Sequence, residues 1–276
     1  MKKRILTALS IIGLGLILVV IGCALGGNLH DSESTSGEAA SGTLGDGVTV
    51  RKLLIDTSLV SLTVKPHSKA VFEYTISGEP EIIASVSIVN RDVLKITSRK
   101  KNAFWGRSYP KGKRITVYVP HNAVFDQVSL SAGVGEVLLE GITAQNGLRL
   151  DTGVGEVELR SVTASKVTAH TSIGTVRFKD CVFTDTEMRS GIGELYFSGK
   201  LHGTTTISSG FGETTLRLQD RRADYIINVS AGIGEVSIDG RQVSSGILPS
   251  VSETGNKAHR LNIRSSIGEV SVRFNQ

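Results

Sequence analysis

The chain has 276 residues, of which 31 are glycine, 5 are proline and 5% are aromatic, and it carries a net charge of +5. A hydrophobic fraction of 39% is too high for a disordered chain, and the abundance of glycine argues against a helical bundle. Three of the net charges come from Lys2, Lys3 and Arg4, so the remainder does not have the basic excess of a nucleic-acid-binding protein. Two cysteines exclude a disulfide scaffold and a cysteine-rich zinc module.

Residues 1–27 have the pattern of a membrane anchor or a lipoprotein signal segment. The uncharged run 5–27 matches the ~20 residues that span a bilayer and exceeds the ~7–15 of a signal-peptide core. The basic residues before it favour the cytoplasmic side, which places the bulk of the chain outside the cell membrane. Two anchors remain open: a single transmembrane helix, or a lipid on Cys23, which ends a lipobox-like Val-Ile-Gly-Cys sequence.

Three further segments follow this anchor. Residues 28–47 consist mainly of serine, glycine and acidic residues and are predicted to form a flexible linker. Residues 48–127 are predicted to form irregular N-terminal coils and a cap. Residues 128–276 contain a regular array of β-strand repeats.

Seven copies of a short glycine motif define this array. Their central glycines are Gly135, Gly155, Gly174, Gly193, Gly212, Gly234 and Gly268. Six copies place a glutamate directly after the glycine, namely Glu136, Glu156, Glu194, Glu213, Glu235 and Glu269. In the third copy Thr175 takes that place.

Apolar residues occupy fixed positions around each central glycine, which is numbered 0. They occur at −7, −5 and −1 before it and at +2 and +4 after it, and the period of two on each side is typical of a strand with one buried face. The change of parity across the glycine indicates a corner. We therefore predict an all-β fold, a parallel β-solenoid (β-helix) of 19–20-residue coils whose apolar positions, −1 included, form the interior. A sandwich or barrel of hairpins is the alternative.

A degenerate copy of the repeat occurs at residues 50–64, where Val60 takes the glycine position. We predict that this copy is the terminal, capping coil. Two segments interrupt the pattern, one at about 98–114 and one at about 240–258, and both are predicted to be excursions from the coils.

The first excursion is rich in basic and aromatic residues and contains no acid. Its members are Arg99, Lys100, Lys101, Phe104, Trp105, Arg107, Tyr109, Lys111, Lys113 and Arg114. It is either a solvated loop or a finger that binds an anionic lipid or a wall polymer.

Other candidate sites have simpler explanations. The glutamates of the repeat are predicted to form a solvated outward column, with a Ca²⁺ site as the alternative. Cys181 falls at a core position of its coil and is predicted to be a buried thiol. No catalytic residue, cofactor or metal ligand is predicted, and the six histidines show no metal-binding spacing.

The phased glycine copies, the Val-Tyr-Val-Pro step at 117–120 and the N-terminal basic and apolar segment resemble a family of bacterial adhesin-like surface proteins with β-strand repeats. The resemblance covers about 48–276. It implies an extracytoplasmic β-solenoid with an adhesion or envelope-stress role. We predict a non-enzymatic, adhesin-like binding or structural protein of the cell envelope, with an anionic lipid, a wall polymer or an envelope protein as partner. The alternative is an accessory component of a system that senses envelope stress or antimicrobial peptides. A carbohydrate-active β-helix enzyme is the competing function.

Overall fold

The computed structural model describes most of the chain after residue 39. The described ranges are 40–44, 48–78, 82–100, 112–121, 123–248, 250–255 and 257–275. The anchor segment 1–27, with Cys23, and residues 101–111 of the basic excursion lie outside them. Within these ranges no helix is both long enough and apolar enough to cross a membrane.

The described residues form strands and one short 3-10 turn, Arg222–Asp224. The strands are β1 (Ala40–Leu44), β2 (Lys52–Thr57), β3 (Val60–His67), β4 (Phe72–Gly78), β5 (Ile82–Val89), β6 (Val93–Lys100), β7 (Lys113–Pro120), β8 (Val124–Glu140), β9 (Thr143–Arg160), β10 (Thr163–Arg221), β11 (Tyr225–Ile238), β12 (Arg241–Ile247), β13 (Ser250–Ser252) and β14 (His259–Asn275).

Repeat copies stack in parallel and in register. Gly135 of β8 pairs with Gly155 of β9, which pairs in turn with Gly174 of β10. Strand β10 is long because extended geometry continues through the corners of three successive coils. The sheet is largely parallel and open, as expected of a β-solenoid-like fold and not of a hairpin barrel.

The predicted strand faces form the hydrophobic core. Positions −7, −5, +2 and +4 are mostly buried along the array, and residues after +4 add a third buried strand to the coil. Phe178, Phe183 and Phe197 contact one another there, with ring centroids 5.3–6.0 Å apart. This contiguous core holds the coils together, because a single coil cannot bury its own apolar edge.

Each central glycine lies against the backbone of the coil beneath it. Gly155 has φ +142°, and a Cβ atom built on it would lie under 3.0 Å from the carbonyl oxygen of Gly135. The same relationship recurs at the other central glycines. Glycine is therefore required for two reasons, because side chains rarely adopt this φ and because the coils approach too closely for a Cβ atom.

The degenerate N-terminal copy aligns as predicted, but it is not the terminal coil. Val60 pairs with Gly135, and Leu53 pairs with Val128, so this copy stacks directly on the array. On its other side it pairs with β6 and β7, which form the outer coil. The antiparallel strands β5 and β4 then pair with β6 and β7, and β1 pairs with β4.

The C-terminal end shows a similar exchange of coil order. Strand β14 lies between β10 and β11, so that Gly268 pairs with both Gly212 and Gly234. The second predicted excursion supplies β12 and β13, which pair antiparallel with β11. At both ends the outermost parallel coil is covered by antiparallel strands, and its neighbour in the stack is not its neighbour in the sequence.

Candidate binding face

The apolar residues at position −1 point outward, contrary to the prediction that they belong to the interior. Their exposed fractions in stacking order are Val134 48%, Val154 47%, Ile173 39%, Ile192 48%, Phe211 41%, Ile267 40% and Ile233 51%. The positive φ of each central glycine turns the backbone so that both −1 and +1 lie on the outside of the corner. With about 4.8 Å between coils, these side chains form an apolar column roughly 29 Å long.

The glutamates at +1 form a second column beside the first. Five of the six are exposed, as predicted, and Glu156 is half-buried. Arg177, from the coil that has Thr175 instead of glutamate, forms an ion pair with Glu156 and lies 3.7 Å from Glu194. The exception in the repeat therefore introduces a bridging cation between two acidic coils, and the column as a whole remains acidic.

A shallow groove lined by small residues runs along the apolar column, on the side away from the glutamates. Its floor consists of glycine, serine, alanine and threonine at −3 and −2 in the first four array coils. Polar residues at −4 line its edge, where Asp151 lies 2.6 Å from the Arg149 guanidinium and 3.4 Å from His170 Nδ1. The apolar column thus has a narrow, small-residue floor on one side and carboxylates on the other.

Only the ends of the basic and aromatic excursion belong to the described residues. Arg99 and Arg114 are exposed, whereas Lys113 is half-buried and donates a hydrogen bond to the carbonyl oxygen of Ile82 at 2.8 Å. Lys100 ends β6. The finger formed by Lys101, Phe104, Trp105, Arg107, Tyr109 and Lys111 lies outside the described residues and stays a prediction.

Cys181 is the buried core thiol that its position predicted. Its side chain is fully buried, and Sγ lies 3.4 Å from the Lys179 carbonyl oxygen. Burial raises the pKa of the thiol to about 12, so the thiolate needed for nucleophilic chemistry is absent at neutral pH.

Sequence reasoning missed a cluster formed by His202, Asp220 and His259. Their spacings match no metal-binding motif. Residues 202 and 220 are about one coil length apart, so one turn of the solenoid brings them to neighbouring positions in adjacent coils. A search for histidine and carboxylate residues one coil length apart in the sequence would have found His202 and Asp220. It would not have found His259, because the position of β14 between β10 and β11 breaks the sequence order.

Solved structures of bacterial proteins resemble this chain at low identity. A candidate cell adhesion protein from Clostridium sporogenes is 14% identical, with 86% of this chain and 99% of that chain covered and a TM-score of 0.37. A candidate adhesin from Bacteroides fragilis is 12% identical, with 87% and 100% covered and a TM-score of 0.40. A candidate lipid binding protein from Parabacteroides distasonis is 9% identical, with 87% and 98% covered and a TM-score of 0.38.

Among curated proteins, no sequence matches this chain. The family model described as Toastrack DUF4097 matches residues 50–210, which is more than half of the chain. That range begins with the degenerate copy and runs through most of the glycine coils described above. The chain belongs to the Toastrack DUF4097 family.

Proposed function

We propose that this protein is a non-enzymatic, adhesin-like binding protein of the bacterial cell envelope, and that the apolar column and the glutamate column form its binding face. The observation that carries this proposal is the outward position of the seven −1 side chains, which are 39–51% exposed. Monomeric soluble proteins rarely expose large contiguous apolar patches, and such patches often mark an interaction site. Stacked repeats also give an extended surface that suits an elongated ligand.

The chemistry of the face favours a cationic, amphipathic segment as its ligand. Apolar side chains of such a segment would lie on the −1 column, and its lysine or arginine residues would face the glutamates at +1. Two sources share this chemistry: a segment of an envelope protein, which gives an adhesion or structural role, and an antimicrobial peptide, which gives a sensing role.

A synthetic amphipathic peptide of leucine and lysine tests the proposal, with a leucine and glutamate peptide of the same pattern as its control. The triple variant Ile173→Ser, Ile192→Ser, Phe211→Ser should lose most of the affinity for the lysine peptide. The double variant Val124→Ser, Val243→Ser removes apolar residues that are each 46% exposed but lie outside the column, and it should bind as the unmodified protein does. Equal binding of both peptides, or equal loss in both variants, would contradict the proposal.

Competition separates the two possible sources. If the natural ligand is an envelope protein, detergent-solubilised envelope proteins should displace the lysine peptide, and protease treatment of that extract should abolish the displacement. If the ligand is a peptide of external origin, the extract should not compete and linear antimicrobial peptides should bind directly. Failure of both would contradict a peptide-binding role for the face.

The location at the cell membrane is also a proposal, supported by the uncharged run at 5–27 after a basic start. Changing Cys23 to serine should leave membrane retention intact if this run is a transmembrane helix. Release of the variant into the medium would instead support a lipid anchor on Cys23.

The basic excursion supplies a second contact with the envelope. Its seven cations, without an acid, favour anionic headgroups or wall polymers, and Trp105 suits the headgroup boundary. Binding to phosphatidylglycerol vesicles should weaken with salt and on changing Lys100, Lys101 and Lys111 together to serine. Equal binding to neutral vesicles would leave the segment as a solvated loop.

A further inference from the structure

We propose that His202, Asp220 and His259 form a binding site for a divalent transition-metal ion of the zinc class, which clamps the last coil into the stack. Each residue offers one ligand atom, and these atoms lie within 4.8 Å of one another. The proposal concerns a separate part of the molecule and does not depend on the binding face.

The fold brings the three residues to one corner. The coil of Gly212 begins next to His202 and ends at Asp220, so one turn of the chain places these two side chains together. Thr204 of this coil pairs with Arg260, which places His259 at the adjacent position of the neighbouring coil. The cluster therefore joins the two ends of the Gly212 coil, at His202 and Asp220, to His259 at the start of β14, the coil that is inserted out of sequence order.

The distances are close to those of a coordination shell. His202 Nε2 lies 3.3 Å from Asp220 Oδ2, and the His202 and His259 rings are nearly parallel with centroids 4.8 Å apart. Zinc binds nitrogen and oxygen ligands at about 2.0–2.2 Å, so ligand atoms around one tetrahedral ion are about 3.3–3.5 Å apart. His202 and Asp220 already satisfy this spacing, and His259, whose ligand atom lies within 4.8 Å of theirs, has to move closer when an ion binds.

Residues behind the cluster orient the carboxylate. The buried Tyr225 hydroxyl donates a hydrogen bond towards Asp220 Oδ2 at 2.9 Å, shared with the Leu201 carbonyl oxygen at the same distance. Such outer partners hold metal-ligating side chains in position.

A backbone hydrogen bond sets the tautomer of the neutral His259 ring. Gly203 N–H donates to His259 Nδ1 at 3.2 Å, so the neutral ring carries its proton on Nε2 and has its lone pair on Nδ1. An ion bound at Nδ1 displaces this hydrogen bond, and an ion bound at Nε2 shifts the ring proton to Nδ1 and breaks it as well. The Gly203 amide is therefore a local reporter of occupancy.

Two imidazoles and one carboxylate select the class of ion. This donor set suits zinc and its neighbours, whereas calcium and magnesium prefer oxygen ligands alone. All three side chains are half-buried, so an ion can enter from solvent and complete its shell with water. The expected occupant is Zn²⁺ bound by three protein ligands and at least one water molecule.

Titrating zinc into the untagged protein tests the proposal. Calorimetry measures the binding, and thermal unfolding measures the melting temperature with and without zinc. We expect one saturable zinc per chain, a melting temperature that rises with zinc and falls on chelation, and a shift of the Gly203 amide resonance. His202→Gln and His259→Gln should each abolish this binding. Tyr225→Phe should keep the ligands but lower the zinc affinity about 10–100-fold.

The control is His170→Gln, because His170 lies 3.4 Å from Asp151 in a histidine–carboxylate pair without a second imidazole. It should bind zinc as the unmodified protein does. The melting temperatures without zinc show whether each variant is folded. The proposal is overturned by the absence of saturable zinc binding, by binding that survives in either folded His202→Gln or folded His259→Gln, or by equal loss in His170→Gln.

Discussion

Gly268 packs against the carbonyl oxygen of Gly212, although the coil of Gly234 comes between them in the sequence. On its other face Gly268 supports Gly234, whose Cβ position is blocked by the Gly268 carbonyl oxygen. The last coil of the chain is therefore an internal coil of the stack. It completes the apolar column with Ile267 and supplies His259 to the proposed metal site.

The first prediction concerns close packing at the corner. Gly155→Ala should lower the free energy of unfolding by a few kcal/mol, because the new Cβ meets the Gly135 backbone at φ +142°. Gly147→Ala, in the same strand, has no atom within 4 Å of the new Cβ and should change stability little. Denaturant unfolding of both variants measures the difference, and equal stabilities would contradict the packing of the corner.

The second prediction separates the interior from the outward column. Phe178 is fully buried, and its change to alanine should cost about 3–5 kcal/mol. Phe211 at position −1 is 41% exposed, so Phe211→Ala should cost much less. Thermal unfolding of the two variants compares them directly, and a larger loss in Phe211→Ala would place the −1 column inside.

The third prediction concerns Cys181. In a Cys23→Ser background, iodoacetamide should not modify the folded protein at pH 8, because burial excludes the reagent and raises the pKa of the thiol to about 12. Modification should become rapid in denaturant. Mass spectrometry at both conditions measures this, and fast modification of the folded chain would contradict a core position for Cys181.

The fourth prediction concerns acid stability. Hydrogen bonds from Arg160, and then from Lys179, lower the pKa of Glu158 below its ordinary value of 4.5. A lowered folded-state pKa stabilises the fold above pH 4.5, and this contribution is lost as the pH falls through the folded-state value.

Glu158→Gln should therefore be less stable than the unmodified protein at pH 7, and the difference should shrink towards pH 3. Glu136→Gln is the control, because Glu136 is exposed and makes no ion pair among the described residues. A Glu158→Gln difference that stays constant from pH 7 to pH 3 would show that the carboxylate contributes no charge-dependent stability.

Sequence periodicity was sufficient to predict the coil and its register. Leu53 and Ile55 fall opposite Val128 and Leu130, as the positions around Val60 and Gly135 require. This succeeds because strand side chains alternate strictly, so a hydrophobic pattern fixes which residues are buried. The central glycines were likewise identifiable from their phase.

Periodicity was insufficient at the corner itself. Val134 and its equivalents are apolar, and alternation alone assigns them to a buried face. The glycine that follows has a positive φ, which reverses the direction of the side chain before it. A rule based on a regular strand cannot give the orientation of a residue within a turn.

The order of the coils was also not predictable from the sequence. Each copy presents nearly the same edge, so the coil of Gly212 is equally suited to pair with that of Gly234 or of Gly268. The longer segment before Gly268 allows the chain to return between them, but the pattern does not require it. His259 was missed for this reason, because only the inserted coil brings it to Asp220.

Disulfide cross-linking tests the stacking order most directly, using three residues at the equivalent −4 position in a Cys23→Ser background. Arg264 pairs with both Ser208 and Ser230, and parallel neighbours lie about 4.8 Å apart, within disulfide reach. Cysteines at 208 and 264, and at 230 and 264, should form intramolecular disulfides under mild oxidation. The pair at 208 and 230 should not, because one coil separates them. Efficient cross-linking of 208 to 230 without cross-linking of 208 to 264 would contradict the inserted coil, the continuous column and the proposed metal site.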